Sequence, residues 1–168
     1  MSVIQKKICM VGVHGTGKTS LVRRFVHSMF SEKYHTTIGV KIDRKELTLG
    51  DTTVRLLLWD LEGRTEGQEI GVGYLRGAHG VFVVADGTRR ETFDQAFELR
   101  ELVHRTVGAV PSLLALNKSD LTDQWQLGDA DYQRVDELGW HRIMTSAKSG
   151  EQVNDAFDWL ARTTVGAP

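Results

Sequence analysis

The sequence predicts an α/β fold: a mainly parallel sheet of six strands with one antiparallel edge strand and helices on both faces. Three observations predict it. Short apolar runs of strand length alternate with stretches that carry apolar residues at helical spacing. Two of the runs, Val81-Phe82-Val83-Val84-Ala85 and Leu113-Leu114-Ala115-Leu116, are continuously apolar, as strands covered on both faces are. The turn Gly50-Asp51 joins two further runs and adds a hairpin of antiparallel strands to an otherwise parallel order.

The elements follow in order. Ile8-Cys9-Met10-Val11 marks a first strand over 8–12. A helix over about 17–29 follows, because Leu21, Val22, Phe25, Val26 and Met29 share one face. Residues 30–37 are polar and read as a loop. The hairpin strands lie over 38–49, where Ile38, Val40 and Ile42 alternate with polar residues, and over 54–59. Residues 62–73 hold four glycines and few apolar side chains, which predicts a mobile segment. After the strand at 81–85, the stretch 92–107 carries Phe93, Ala96, Phe97, Leu99, Leu102 and Val103 at helical spacing. The strand at 113–116 precedes a short one at 143–144, and Val153, Ala156, Phe157 and Leu160 form the stripe of a last helix. The resulting order is β-α-β-β-α-β-α-β-α-β-α. Ligands of such sheets bind outside the carboxyl ends of the strands.

The chain has 168 residues, 40% apolar and 26% charged, which suits one soluble globular domain over 1–168. A net charge of −1 with no long run of one sign argues against a nucleic-acid binder. Cys9 is the single cysteine and lies in an apolar run, so it is expected to be a core thiol. No internal disulfide is possible, which fits a reducing, cytoplasmic setting. No run approaches the roughly 20 apolar residues of a membrane span. Residue 2 is Ser2, which excludes N-myristoylation, and residues 163–168 contain no cysteine for a prenyl anchor. The expectation is an unlipidated cytoplasmic protein, or one whose tail has been removed.

Gly12-Val13-His14-Gly15-Thr16-Gly17-Lys18-Thr19 fits G-x-x-x-x-G-K-[ST], a phosphate-binding loop, and it sits between a strand and a helix. Its glycines let backbone amides close around an anion, with the helix N-terminus behind them. Lys18 would neutralise β- and γ-phosphates, and the Thr19 hydroxyl would reach Mg²⁺. Asp60, at the end of Val54–Trp59, is placed to hold Mg²⁺ through water, and Gly63 to set its N–H against a γ-phosphate. In Asn117-Lys118-Ser119-Asp120, a carboxylate set edge-on to a base accepts from two adjacent donors. Guanine offers that pair and adenine does not, so Asp120 reads as a guanine selector. Lys118 would lie over the ring, and Asn117 would tie this loop to the phosphate loop. In Ser146-Ala147-Lys148 the Ala147 N–H would donate to the guanine O6.

The loop, D-x-x-G, N-K-x-D and S-A-K in this order resemble a small GTPase of the Ras superfamily. Tyr34-His35-Thr36-Thr37-Ile38-Gly39 and Tyr74-Leu75-Arg76-Gly77-Ala78 are similar to the two switch segments of its Rab branch. The resemblance spans nearly the whole chain. It implies a three-layer P-loop NTPase fold (a Ras-like G domain), GTP and GDP as ligands with Mg²⁺, and protein effectors, exchange factors or activating factors that read the switch loops. An unlipidated, prokaryotic member fits the missing anchor. The implied nucleotide contacts are His14, Gly15, Thr16, Gly17, Lys18, Thr19 and Ser20, with Phe30 beside the guanine and Tyr34 closing over the phosphates. Thr37, Gly63, Asn117, Lys118, Asp120, Ser146, Ala147 and Lys148 complete them. The metal set is Thr19, Thr37 and Asp60, and the catalytic set is Lys18, Thr37, Gly63 and Arg64.

Three positions depart from the family pattern, and all concern hydrolysis. Arg64 stands where the family carries the glutamine that orients the attacking water; the spacing to Tyr74 keeps Gln68 out of that slot. Glu62 and His14 replace small residues, and the carboxylate of Glu62 is expected near the γ-phosphate. The expectation is a GTP/GDP switch with slow hydrolysis, against the competing reading that Arg64 folds inward and acts as an arginine finger in cis. The alternatives are a constitutively GTP-bound recruitment module and, less compatible with Asp120, an ATP-using phosphotransferase.

Overall fold

A computed structural model of the protein describes residues 2–32, 37–65 and 69–167. The strands are β1 (Ser2–Gly12), β2 (Val40–Leu49), β3 (Thr52–Leu61), β4 (Gly80–Asp86), β5 (Ser112–Asn117) and β6 (His141–Thr145). They form one sheet in the order β2-β3-β1-β4-β5-β6. Only β2 and β3 pair antiparallel; every other neighbouring pair is parallel. The helices are α1 (Lys18–His27), α2 (Arg90–Val107), α3 (Asp129–Glu137) and α4 (Val153–Val165).

Side-chain alternation along each strand divides the core into two layers. On one face Ile8, Met10, Leu56, Leu58, Phe82 and Val84 meet Leu21 and Phe25 of α1 and Phe157 and Leu160 of α4. On the other, Cys9, Val11, Val81, Val83, Leu114 and Leu116 meet Phe93 and Leu99 of α2 and Val135 of α3. Cys9 is a buried free thiol, and burial raises its pKa to about 11.

Two elements differ from the sequence expectation. β1 begins at Ser2 rather than at residue 8: its polar first half pairs with β3 beyond the other strands, where it stays exposed. The helix expected between β3 and β4 is one 3₁₀ turn, Val72–Leu75. Glycines at 71, 73 and 77 leave too few helix formers there for a longer element. Residues 66–68 lie outside the described residues. Past them, Ile70 and Leu75 are buried in the α2-side layer, an anchoring that the glycine count alone did not disclose. Among the described residues no helix is long and apolar enough to cross a membrane.

Phe157 joins the two halves of its layer. Its ring stacks on Phe25 at 4.1 Å and on Phe82 at 4.6 Å between centroids. Phe157→Ala is expected to cost about 3–5 kcal/mol. Urea denaturation checks this; the midpoint should fall at an unchanged m-value.

Candidate functional site

β1, β3, β4, β5 and β6 all run the same way, so Gly12, Leu61, Asp86, Asn117 and Thr145 end along one edge of the sheet. A cavity of about 310 Å³, within the range of small-molecule sites, opens above that edge. At one end its walls are His14, Gly15, Gly17, Lys18, Thr19, Ser20, Thr37 and Gly63. At the other they are Phe30, Glu32, Asn117, Lys118, Asp120, Ala147 and Lys148. Lys18, Gly63, Asp120 and Ala147, far apart in sequence, therefore share one hollow. Tyr34, like Gln68, lies outside the described residues.

The loop between β1 and α1 is built by close approach. Gly17 takes φ 102°, which a Cβ would strain, and the Asn117 amide fills the space beside it. Asn117 Nδ2 donates to the Thr16 carbonyl at 3.0 Å, and its Oδ1 accepts from Thr145 at 3.1 Å. The side chain of Thr16 is buried and donates back to the Val13 carbonyl. Lys18 arches over the loop with Nζ donating to the carbonyls of Gly12 and Val13 at 3.4 and 3.2 Å. Burial lowers its pKa to about 8, against the opposing pull of Asp60 and with a further push from Arg89.

Three oxygen-bearing side chains meet beside Lys18. Thr19 donates to Asp60 Oδ2, the Thr19 and Thr37 hydroxyls are 2.7 Å apart, and Thr37 lies 3.3 Å from the same carboxylate oxygen. Asp60 is fully buried, and its other oxygen has no hydrogen-bond partner among the described residues. Burial raises its pKa, against hydrogen bonds from Thr19 and Thr37 and the charge of Lys18. An orphaned carboxylate oxygen beside two hydroxyls is a hard donor set that suits Mg²⁺, which takes few protein ligands and completes its shell with water and phosphate. Among the described residues no cluster of three or more His, Cys, Asp or Glu offers an alternative.

At the far end Ser146 donates to Asp120 Oδ1 at 2.7 Å and fixes the carboxylate's orientation. From α1, Arg24 donates to the carbonyls of Ala147 and Lys148 and holds that turn in place. Lys148 pairs with Glu32 at 3.0 Å across the cavity mouth.

The three unusual positions part company. His14 lines the cavity. The Glu62 carboxylate, expected near the phosphates, instead accepts from the Gly39 N–H at 3.2 Å. Arg64 joins the phosphate loop through its backbone: His14 N–H donates to the Arg64 carbonyl at 2.9 Å, and Arg64 N–H to the Gly12 carbonyl at 3.0 Å. A Cβ on Gly63 would lie 2.6 Å from His14 Cα and 3.0 Å from Lys18 Nζ, so residue 63 faces inward. The next side chain in an extended segment faces the other way. The Arg64 guanidinium accordingly lies outside the cavity, paired with Glu69 at 2.9 Å and with Glu98 of α2 at 3.0 Å.

A model of the Ras family matches residues 7–165. The chain belongs to the Ras family. It is 36% identical over 159 residues to the Ras-related protein Rab-1 of Theileria annulata, covering 93% of this chain and 72% of that protein. The same protein of Theileria parva is 35% identical over an equal span. The chain is thus a Rab-like small GTP-binding switch protein of a GTPase family that uses GTP and GDP, typically with Mg²⁺.

Two side chains of this Ras-family site escaped the sequence reading: Asp86 and Arg89. Asp86 ends β4 fully buried, and receives Lys118 Nζ at 2.9 Å, Arg89 Nε at 3.1 Å and the N–H and hydroxyl of Thr88. Lys118, with φ 71°, also donates to the Gly15 carbonyl at 3.2 Å. The signal was present, since Asp86 leaves an apolar run just as Asp60 does.

Burial alone would raise the pKa of Asp86, but the bonds from Lys118 and Thr88 outweigh it and hold the value below the ordinary 3.8. A depressed carboxylate adds stability that is complete above its unfolded value and lost as pH falls through the folded one. Asp86→Ala should therefore destabilise the protein by about 1–3 kcal/mol at pH 7, because it removes the acceptor of several hydrogen bonds while Lys118 and Arg89, each about a third exposed, keep part of their hydration. The gap between variant and wild type should narrow below the ordinary 3.8, in denaturant titrations at several pH values.

Proposed function

We propose that residues 1–168 form one GTP/GDP-binding domain that works as a switch and hydrolyses GTP slowly. The observation that carries the binding reading is the pairing, within one cavity, of the Thr19–Thr37–Asp60 oxygen cluster beside Lys18 with the Ser146-fixed carboxylate of Asp120 at the other end.

In this reading Asp120 accepts from the two adjacent N–H donors of guanine, and the Ala147 N–H donates to O6. The stem of Lys118 and the ring of Phe30 flank the base, with Lys148 beside them. The amides of residues 14–20 and Lys18 receive the phosphates. Mg²⁺ held by Thr19, Thr37 and Asp60 would offset charge on the β- and γ-phosphates. Thr37 and the Gly63 N–H tether the γ-phosphate, and its loss frees both loops for effectors or exchange factors to read.

Slow hydrolysis follows from the chemistry and setting of Arg64. A guanidinium has donors only, so it cannot accept a proton from the attacking water as a glutamine amide oxygen can. The backbone bonds to Gly12 and His14 that turn its side chain outside the cavity support the view that it does not act as an internal arginine finger. The same observation favours a second reading, a recruitment module that stays GTP-bound, and single-turnover phosphate release separates the two.

Asp120→Asn should weaken GTP binding by about 3 kcal/mol or more while xanthine nucleotides gain, since the charged hydrogen-bonded pair is lost. Competition titrations against GTP, ATP and XTP check it; equal wild-type affinity for ATP and GTP would end the guanine reading.

Arg64→Gln should leave single-turnover hydrolysis unchanged or faster. Arg64→Ala should change it by less than about tenfold, the lower limit for losing a finger being far larger. A fast wild type that Arg64→Ala cripples would overturn slow hydrolysis.

A further inference from the structure

We propose that Arg89 is a positioning residue for the phosphate loop, holding the His14 carbonyl outward so that the Gly15 amide faces a bound phosphate. The inference rests on the nucleotide reading above and adds to it a residue outside the cavity wall and outside every motif.

Arg89 immediately precedes α2. Its Nε donates to Asp86 Oδ2 at 3.1 Å, and its Nη2 donates to the His14 carbonyl at 3.1 Å. Asp86 is a fixed anchor, buried and bonded to Lys118 and Thr88. A planar fork lets one guanidinium grip the anchor and the loop together, which a single ammonium point does less well.

The consequence for the loop follows from peptide geometry. In a planar trans peptide the C=O of one residue and the N–H of the next point in opposite directions. With the His14 oxygen drawn to Arg89, the Gly15 N–H points away from Arg89, toward the cavity that Gly15 lines. Gly15 has φ 79°, and a glycine there offers little resistance to rotation of the peptide before it. A flipped peptide would aim a carbonyl oxygen at the phosphate. The loop therefore needs an external hold on this peptide, and Arg89 is bonded to its oxygen. The neighbouring peptide is held similarly, with Lys118 on the Gly15 carbonyl. Asp86 links the two cations, so they act as one clasp on successive carbonyls.

A simpler role, tying α2 to the end of β4, would use only the Asp86 contact. The test separates the two on the full chain by three measurements: dissociation of a fluorescent GDP analogue, the Gly15 amide resonance in the GDP complex, and thermal melting. Arg89→Ala is expected to speed dissociation by about tenfold or more, as befits loss of a charged hydrogen bond, and to move the Gly15 proton upfield. Arg89→Lys keeps the charge beside Asp86 and so should melt near wild type, yet still release GDP faster and shift Gly15. The inference is overturned if both variants release GDP at the wild-type rate with Gly15 unmoved. It is equally overturned if Arg89→Lys restores rate and resonance fully while Arg89→Ala only melts lower. A wild type that binds no GDP would remove the nucleotide reading and this inference together; a wild type that binds, with variants that match it, removes this inference alone.

Discussion

A polar side chain taken out of water must find a partner or cost several kcal/mol, and that constraint shapes one edge of this molecule. The buried polar side chains among the described residues are Thr16, Lys18, Asp60, Asp86, Thr92, Asn117, Thr145 and Ser146. All of them gather where the parallel strands end. Strands covered on both faces can end only by giving polar groups to each other and to the loops above. Asn117 is shared between Thr16 and Thr145, Asp86 between Lys118, Arg89 and Thr88, and Ser146 between Asp120 and the Ser149 N–H. The same bonds that satisfy the sheet edge hold the phosphate loop in shape. The folding requirement and the preorganisation of the site are thus one set of contacts. The exception is informative: among the described residues Asp60 Oδ1 has no partner, while the Thr19 and Thr37 hydroxyls converge on its other oxygen.

The motif-bearing part of this site was legible because each motif is local. Eight consecutive residues encode the phosphate loop, and an apolar run ending in Asp or Asn encodes a strand that delivers a side chain. The one antiparallel pair was legible for the same reason, since the Gly50-Asp51 turn joins its two strands. What escaped was non-local or weakly periodic. Arg89 reaches His14 across 75 positions, and nothing in the residues around either predicts the contact. α3 has its place in the predicted order but no bounds there, since it carries one buried apolar residue, Val135, too little for a helical stripe. The first half of β1 is polar because it runs past its neighbours, so its strand character shows only in its pairing with β3.

The departures from the family pattern at Glu62 and Arg64 read differently once placed. Only the carboxylate of Glu62 was expected near the γ-phosphate, from the family pattern. Glu62 instead joins Gly39 through two contacts, its N–H to the Gly39 carbonyl at 2.8 Å and its carboxylate to the Gly39 N–H. It ties the start of β2 to the end of β3, beside Thr37. A side chain that the family pattern puts near the γ-phosphate here links the two segments that carry Thr37 and Gly63.

What keeps Arg64 out of the cavity can be decided by magnitude. Its ion pairs with Glu69 and Glu98 involve carboxylates 64% and 66% exposed, and exposed pairs contribute about 0–1 kcal/mol each. A working arginine finger stabilises the transition state by a factor of about 10³–10⁵, several kcal/mol, which would easily overcome two such pairs. The ion pairs therefore do not hold the side chain out by themselves. The backbone does: the two hydrogen bonds of Arg64 with Gly12 and His14 fix the strand-like phase in which Gly63 faces Lys18 and Arg64 faces α2. Turning Arg64 inward means breaking that bridge and pressing a side chain into the space where even a Cβ on residue 63 meets backbone at 2.6 Å. The glycine of D-x-x-G is thus what allows close packing on the phosphate loop, and that packing in turn dictates the direction of the residue after it.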